Sequence, residues 1–164
     1  MDVTQAELEA LAAEVGTALV ARGWMLAAAE SCTGGWAAQA LTAVAGSSAW
    51  FERGFVTYSN QAKIEMLGVR VETLDTFGAV SEETAAQMAQ GALAHSRAQA
   101  AFAITGIAGP SGGSLEKPVG TVCFAWRLAD AEVATARHWF AGDRQQVRAQ
   151  SVQLALRNLL ALMP

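Results

Sequence analysis

The chain has 164 residues, 52% hydrophobic and 16% charged, enough for one core-bearing domain spanning 1–164 and too apolar for a disordered segment. Its net charge is -4, from 11 basic and 15 acidic side chains, with no Lys/Arg cluster to track a phosphate backbone, which argues against a nucleic-acid partner. No apolar run reaches the ~18 residues of a membrane span, and Asp2, Glu7, Glu9 and Glu14 are wrong for a targeting peptide, so a cytoplasmic protein with no membrane partner is expected.

Thr4-Gln5-Ala6-Glu7 is a capping box, and Leu8, Leu11, Val15 and Leu19 follow at helical spacing until Gly23 stops the helix. Trp24 to Ala29 is a short apolar run that reads as a strand, broken by Glu30-Ser31-Cys32-Thr33-Gly34-Gly35 before a helix from Trp36 to Val44. Phe55 to Tyr58 reads as a second strand, and Ser59 or Asn60 caps a short helix that Gly68 closes. The stretch after it reads as a loop leading to Ser81, the N-cap of a helix that runs to about Ser96. Ala101 to Thr105 is a further strand, ended by the glycine-dense segment Gly106 to Gly113. Val119 to Leu128 and Val133 to Phe140 read as an antiparallel hairpin, and Asp143 caps a last helix reaching Leu162. Strands alternating with helices, then a hairpin, give an α/β fold: a three-layer-like sandwich with a mixed β-sheet flanked by helices.

Ligands gather at the carboxyl ends of strands in such sheets, which directs attention to residues 30–35 and 105–113. The first segment offers unpaired backbone N–H groups at a helix start, room for close approach at Gly34 and Gly35, and the hydroxyls of Ser31 and Thr33. The second offers a backbone cradle for a phosphate. It is neither a Walker A loop nor a G-x-G-x-x-G fingerprint. Cys32 and Cys123, with His95 and His138, show no metal-ligand spacing, so no metal and no cofactor are expected. Cys32 reads as a small packed residue. Both histidines sit in contexts that do not support a Ser-His-Asp triad, which leaves lysine as the alternative base. Only Lys63 and Lys117 exist, and Lys63 follows Tyr58-Ser59-Asn60 on a short helix. It can act as a base only if its pKa is lowered. Ser47 and Ser48, in a loop before that strand, are candidate partners.

Six blocks in order carry a resemblance: Glu30-Ser31-Cys32-Thr33-Gly34-Gly35, Gly46 to Gly54, Val56 to Lys63, Gly78-Ala79-Val80-Ser81, Thr105 to Gly113, and Lys117 to Val122. Together they resemble the CinA C-terminal-domain family, over nearly the whole chain. Stand-alone members of that family are nicotinamide mononucleotide deamidases. The resemblance implies hydrolysis of the carboxamide of nicotinamide mononucleotide to nicotinate mononucleotide and ammonia in pyridine-nucleotide (NAD) salvage. It also implies a serine-lysine mechanism without metal and a homodimer. Carried over residue by residue, it gives Ser48, Tyr58 and Lys63 as catalytic residues and Arg144 as a substrate contact. The nucleophile is assigned to Ser48, with Ser31 at the strand end as the rival. Thr33, Gly34, Gly35, Thr105, Gly106, Gly109 and Gly112 complete the expected substrate-binding set. The alternative is a non-catalytic module that binds a nucleotide or ADP-ribose-like ligand through the same glycine loops.

Overall fold

The computed structural model describes residues 2–163. In chain order it runs α1 (Gln5–Arg22), β1 (Leu26–Glu30), α2 (Trp36–Thr42), a 3-10 turn (Ser47–Ala49), β2 (Phe51–Val56), α3 (Asn60–Leu67) and α4 (Val71–Phe77). It continues through α5 (Glu82–Ala94), β3 (Ala100–Gly106), β4 (Thr121–Leu128), β5 (Ala134–Trp139) and α6 (Arg144–Leu162). The strands form one five-stranded sheet in the order β2-β1-β3-β4-β5. β1 is parallel to both β2 and β3, while β4 is antiparallel to β3 and β5. The mixed sheet flanked by helices is therefore as expected.

Period-two alternation along the central strands gives the sheet two unlike faces. Leu26, Phe102, Ile104, Phe124 and Trp126 point to the side covered by α1, α2 and α6. The other face is made of Ala27, Ala29, Ala101, Ala103 and Ala125, and α5 meets it with Ala85, Met88, Ala89 and Ala92. Small side chains on both partners let α5 lie close to the sheet. The same close packing reaches Gly91, where an added Cβ would stand 1.9 Å from the carbonyl oxygen of Leu67. α5 thus passes the end of α3 in main-chain contact.

Two elements differ from the sequence expectation. β2 begins at Phe51, four residues before the expected strand, and ends before Thr57. It is an edge strand without a buried side chain, so no apolar run marks it, and Glu52 hydrogen-bonds Arg53 on its surface. α4 lies where a loop was expected. Its N-cap is Arg70, which supplies no side-chain cap, so the usual start signal is missing. Among the described residues no helix is long and apolar enough to cross a membrane.

Candidate active site

The parallel strands β2, β1 and β3 end on one edge of the sheet, and a cleft of about 240 Å³ opens there. α2, which follows β1, packs on one face, whereas α3, α4 and α5, which follow β2, pack on the other. The cleft lies where these connections diverge, the usual ligand position in sheets of this type.

Ser31 is the first residue beyond β1, held by its amide on the carbonyl of Ile104 at 3.0 Å. Ser59 caps α3 by accepting the Ala62 N–H at 3.0 Å, so Lys63 falls in the first turn and reaches back beneath the strand ends. Its Nζ stands 3.0 Å from Ser31 Oγ and 3.0 Å from the carbonyl oxygen of Thr57. The hydroxyl of Thr57 is itself buried without a hydrogen-bond partner among the described residues. Lys63 is only 1% exposed, and among the described residues no carboxylate forms an ion pair with it. Burial disfavours the ammonium and holds its pKa below the ordinary lysine value. As an ammonium Nζ donates to Ser31 Oγ; a neutral amine would instead accept from the Ser31 hydroxyl.

The turn after Ser31 is built differently from the sequence expectation. The buried carboxylate of Glu30 accepts from Thr33 Oγ1 at 2.7 Å and from the amides of Ala37 and Ala38 at 2.9 and 3.0 Å. An internal carboxylate therefore fills the helix start that was expected to lie open to an anion, and the Thr33 hydroxyl is spent on it. Gly34 and Gly35, at φ +58° and +103°, shape the turn, and the Gly34 amide donates to the Ser31 carbonyl at 2.9 Å. The amides of Cys32 and Thr33 have no acceptor among the described residues. The Cys32 thiol is buried, which pushes its pKa up to about 12, so it is no thiolate nucleophile.

The other expected residues divide between cleft and scaffold. Thr105 and Gly106 line the cleft at the end of β3, with Thr105 Oγ1 donating to the Ala79 carbonyl at 2.8 Å. Tyr58 is 62% exposed at the rim. Its hydroxyl accepts from Arg144 at 3.1 Å, and the same guanidinium donates to the Gly109 carbonyl at 2.8 Å. Arg144 thus joins the start of α6 to the glycine loop and to the rim tyrosine. Gly109 and Gly112 have φ of +82° and +89° and set the path of that loop.

Ser48 is not brought to Lys63. It lies exposed in the 3-10 turn before β2, beside the start of β1, because Phe51 pairs with Leu26. Nearness in sequence misleads here, since the six residues of β2 carry the chain roughly 20 Å to the opposite edge of the sheet. Ser31, the rival, is the serine in contact with the lysine.

Residues 8–163 match the family model described as CinA C-terminal domain. The chain belongs to the CinA C-terminal domain family. Among its relatives, "Nicotinamide-nucleotide amidohydrolase PncC" of Escherichia coli K12 is 58% identical over 157 residues, 96% of this chain and 95% of that protein. A "CinA-like protein" of Syntrophobacter fumaroxidans is 53% identical over 90% of this chain but only 35% of its own length. The crystal structure of competence/damage inducible protein CihA from Agrobacterium tumefaciens superposes with a TM-score of 0.92 at 52% identity, covering 94% of each chain.

Two further side chains of this CinA-family domain shape the site without having stood out in the sequence. Glu30 anchors the turn as described. Arg148 donates to the carbonyls of Cys32 and Thr33 at 3.0 and 3.1 Å. A signal for it existed, because Arg148 follows Arg144 by four residues on one helix and so shares its face. Among the described residues, no three of His, Cys, Asp and Glu stand together as metal ligands.

Proposed function

We propose that this chain is a nicotinamide-nucleotide amidohydrolase with Ser31 as nucleophile and Lys63 as general base, acting in pyridine-nucleotide salvage. The observation that carries the mechanism is the 3.0 Å contact between Lys63 Nζ and Ser31 Oγ in surroundings that lower the lysine pKa. The family membership and the name of the E. coli relative support the substrate class.

In the proposed reaction, neutral Lys63 takes the proton as Ser31 Oγ attacks the carboxamide carbon of nicotinamide mononucleotide. Amides of the turn after Ser31 stabilise the tetrahedral oxyanion. Collapse of the intermediate breaks the C–N bond, and the Lys63 ammonium returns its proton to the departing nitrogen, which leaves as ammonia. Water, deprotonated by Lys63, then attacks the ester carbonyl, releasing nicotinate mononucleotide and regenerating Ser31. The positive pyridinium ring withdraws electrons from the carbonyl and can lie against the exposed face of Tyr58. Arg144 supplies a fixed guanidinium for the 5′-phosphate.

The test is ammonia release from nicotinamide mononucleotide by the purified protein. Ser31→Ala and Lys63→Ala are each expected to lower kcat by at least about 10²-fold, while Ser48→Ala retains the wild-type rate. Tight binding of the nucleotide without ammonia release would replace this reading with that of a binding module.

A further inference from the structure

Arg148 meets the turn after Ser31 from α6, where it lines an open pocket with Trp36, Arg144 and Gln145. Its Nε and one terminal nitrogen donate to two consecutive carbonyls, Cys32 O at 3.0 Å and Thr33 O at 3.1 Å. The guanidinium also lies 5.3 Å from the ring centroid of Trp36, which is itself tied by its Nε1 to Gln5 Oε1 at 2.7 Å. A trans peptide is planar, with C=O and N–H pointing in opposite directions. Once the Cys32 carbonyl is turned to Arg148, the Thr33 N–H must point away from it. That N–H has no acceptor among the described residues. The fork reaches two carbonyls at once, which a lysine ammonium on a flexible stem cannot reproduce with the same geometry. Glu30 holds the turn by accepting from the Thr33 hydroxyl and from the amides of Ala37 and Ala38. Arg148 fixes the orientation of its peptide planes.

We propose that Arg148 is a positioning residue for the hydrolysis: by holding the Cys32 and Thr33 carbonyls it fixes the turn after Ser31, and with it the amide of Cys32 at the cleft, which we assign as a donor to the oxyanion formed at Ser31. It has no contact with substrate in this role. The proposal rests on the Ser31 mechanism above and goes beyond it by assigning the orientation of the oxyanion donors to a side chain on α6.

The experiment compares wild type, Arg148→Lys and Arg148→Ala in two assays, steady-state ammonia release and the rate at which phenylmethylsulfonyl fluoride modifies Ser31, followed by intact mass. Sulfonylation also passes through a developing oxyanion, so it reports on the turn without depending on the natural substrate. Arg148→Ala is expected to lower both kcat and the labelling rate about 10²-fold, the usual cost of losing one oxyanion donor or misplacing it by an ångström, with KM within about 3-fold. Arg148→Lys recovers part of both rates and, because it keeps the charge and most of the volume, serves as the folded comparison if the alanine variant is unstable. A rise in KM with unchanged kcat and labelling would make Arg148 a substrate contact and overturn the proposal, as would rates that do not move. If wild type is labelled at Ser31 but releases no ammonia from the nucleotide, the substrate reading fails, and the labelling series still decides the role of Arg148.

Discussion

Lys63 owes its proposed role as a base to being buried with no carboxylate partner among the described residues. The unfolded chain holds a lysine proton up to about the ordinary 10.5, whereas the folded chain releases it at a lower pH because of burial. Between those two pKa values the unfolded state binds more protons, so stability rises with pH across that window. The proposed mechanism predicts a rate that rises in the same direction, because in it the neutral amine is the base. Lys63→Met is therefore expected to abolish ammonia release and to be less pH-dependent in urea unfolding than wild type over that window. Identical pH slopes for the two proteins would remove burial as the source of the shift. The nucleophile shows how far the residues alone led. Lys63, Tyr58, Ser31 and Thr105 were legible as site candidates, but Ser48 was favoured because sequence distance gives no account of which end of a strand a residue occupies.

At the scale of elements, the position of α3 depends on α5. Helix propensity alone makes Gly91→Ala stabilising by up to about 1 kcal/mol, but its Cβ would stand 1.9 Å from Leu67 O. The expected outcome is a net loss of about 1–3 kcal/mol in urea unfolding, as for other overpacked sites. A lower kcat should accompany it, because the displaced helix carries Lys63. Gain of stability would mean that α5 can move away freely. Elements with their own signals were readable from sequence: the capping box at Thr4 and the Asp143 cap mark α1 and α6 as found. β2 and α4 were not, since an edge strand needs no apolar run and a helix started by Arg70 carries no cap. The helix start at Gly35 misled for a related reason. Its amide partner is the carboxylate of Glu30 on the preceding strand, and composition cannot show that an anion site is already filled from within.

Across the whole molecule the sheet separates a core of large side chains from one of alanine, and neighbours on β3 sample both. Phe102 faces the first and Ala103 the second. Phe102→Ala should cost about 3–5 kcal/mol through the cavity it leaves. Ala103→Leu should cost about 1–3 kcal/mol for the opposite reason, as α5 is pushed off the sheet. Urea midpoints of the two variants check this, and an Ala103→Leu protein as stable as wild type would show that the alanine face is loosely packed. The layered architecture was legible because strand and helix patterns alternate, but this asymmetry was not, because an alanine-rich run looks the same whichever face it serves.

The missing countercharge at Lys63 also bears on how the protein responds to electrolyte. A base tuned by an ion pair would drift as dissolved salt weakened that pair, but here burial sets the basicity, and among the described residues no ion pair stands at the lysine for salt to weaken. Arg144 at the rim is exposed, and its attraction for a phosphate is screened over a Debye length of about 8 Å at physiological ionic strength. Added salt should therefore raise KM for the nucleotide while kcat stays within about 2-fold, a separation that steady-state kinetics across a sodium chloride series would reveal. A parallel fall in kcat would point to a charged neighbour of the lysine in the substrate-bound state. The binding step of such an enzyme would follow the ionic conditions around it, and its chemical step would be insulated from them.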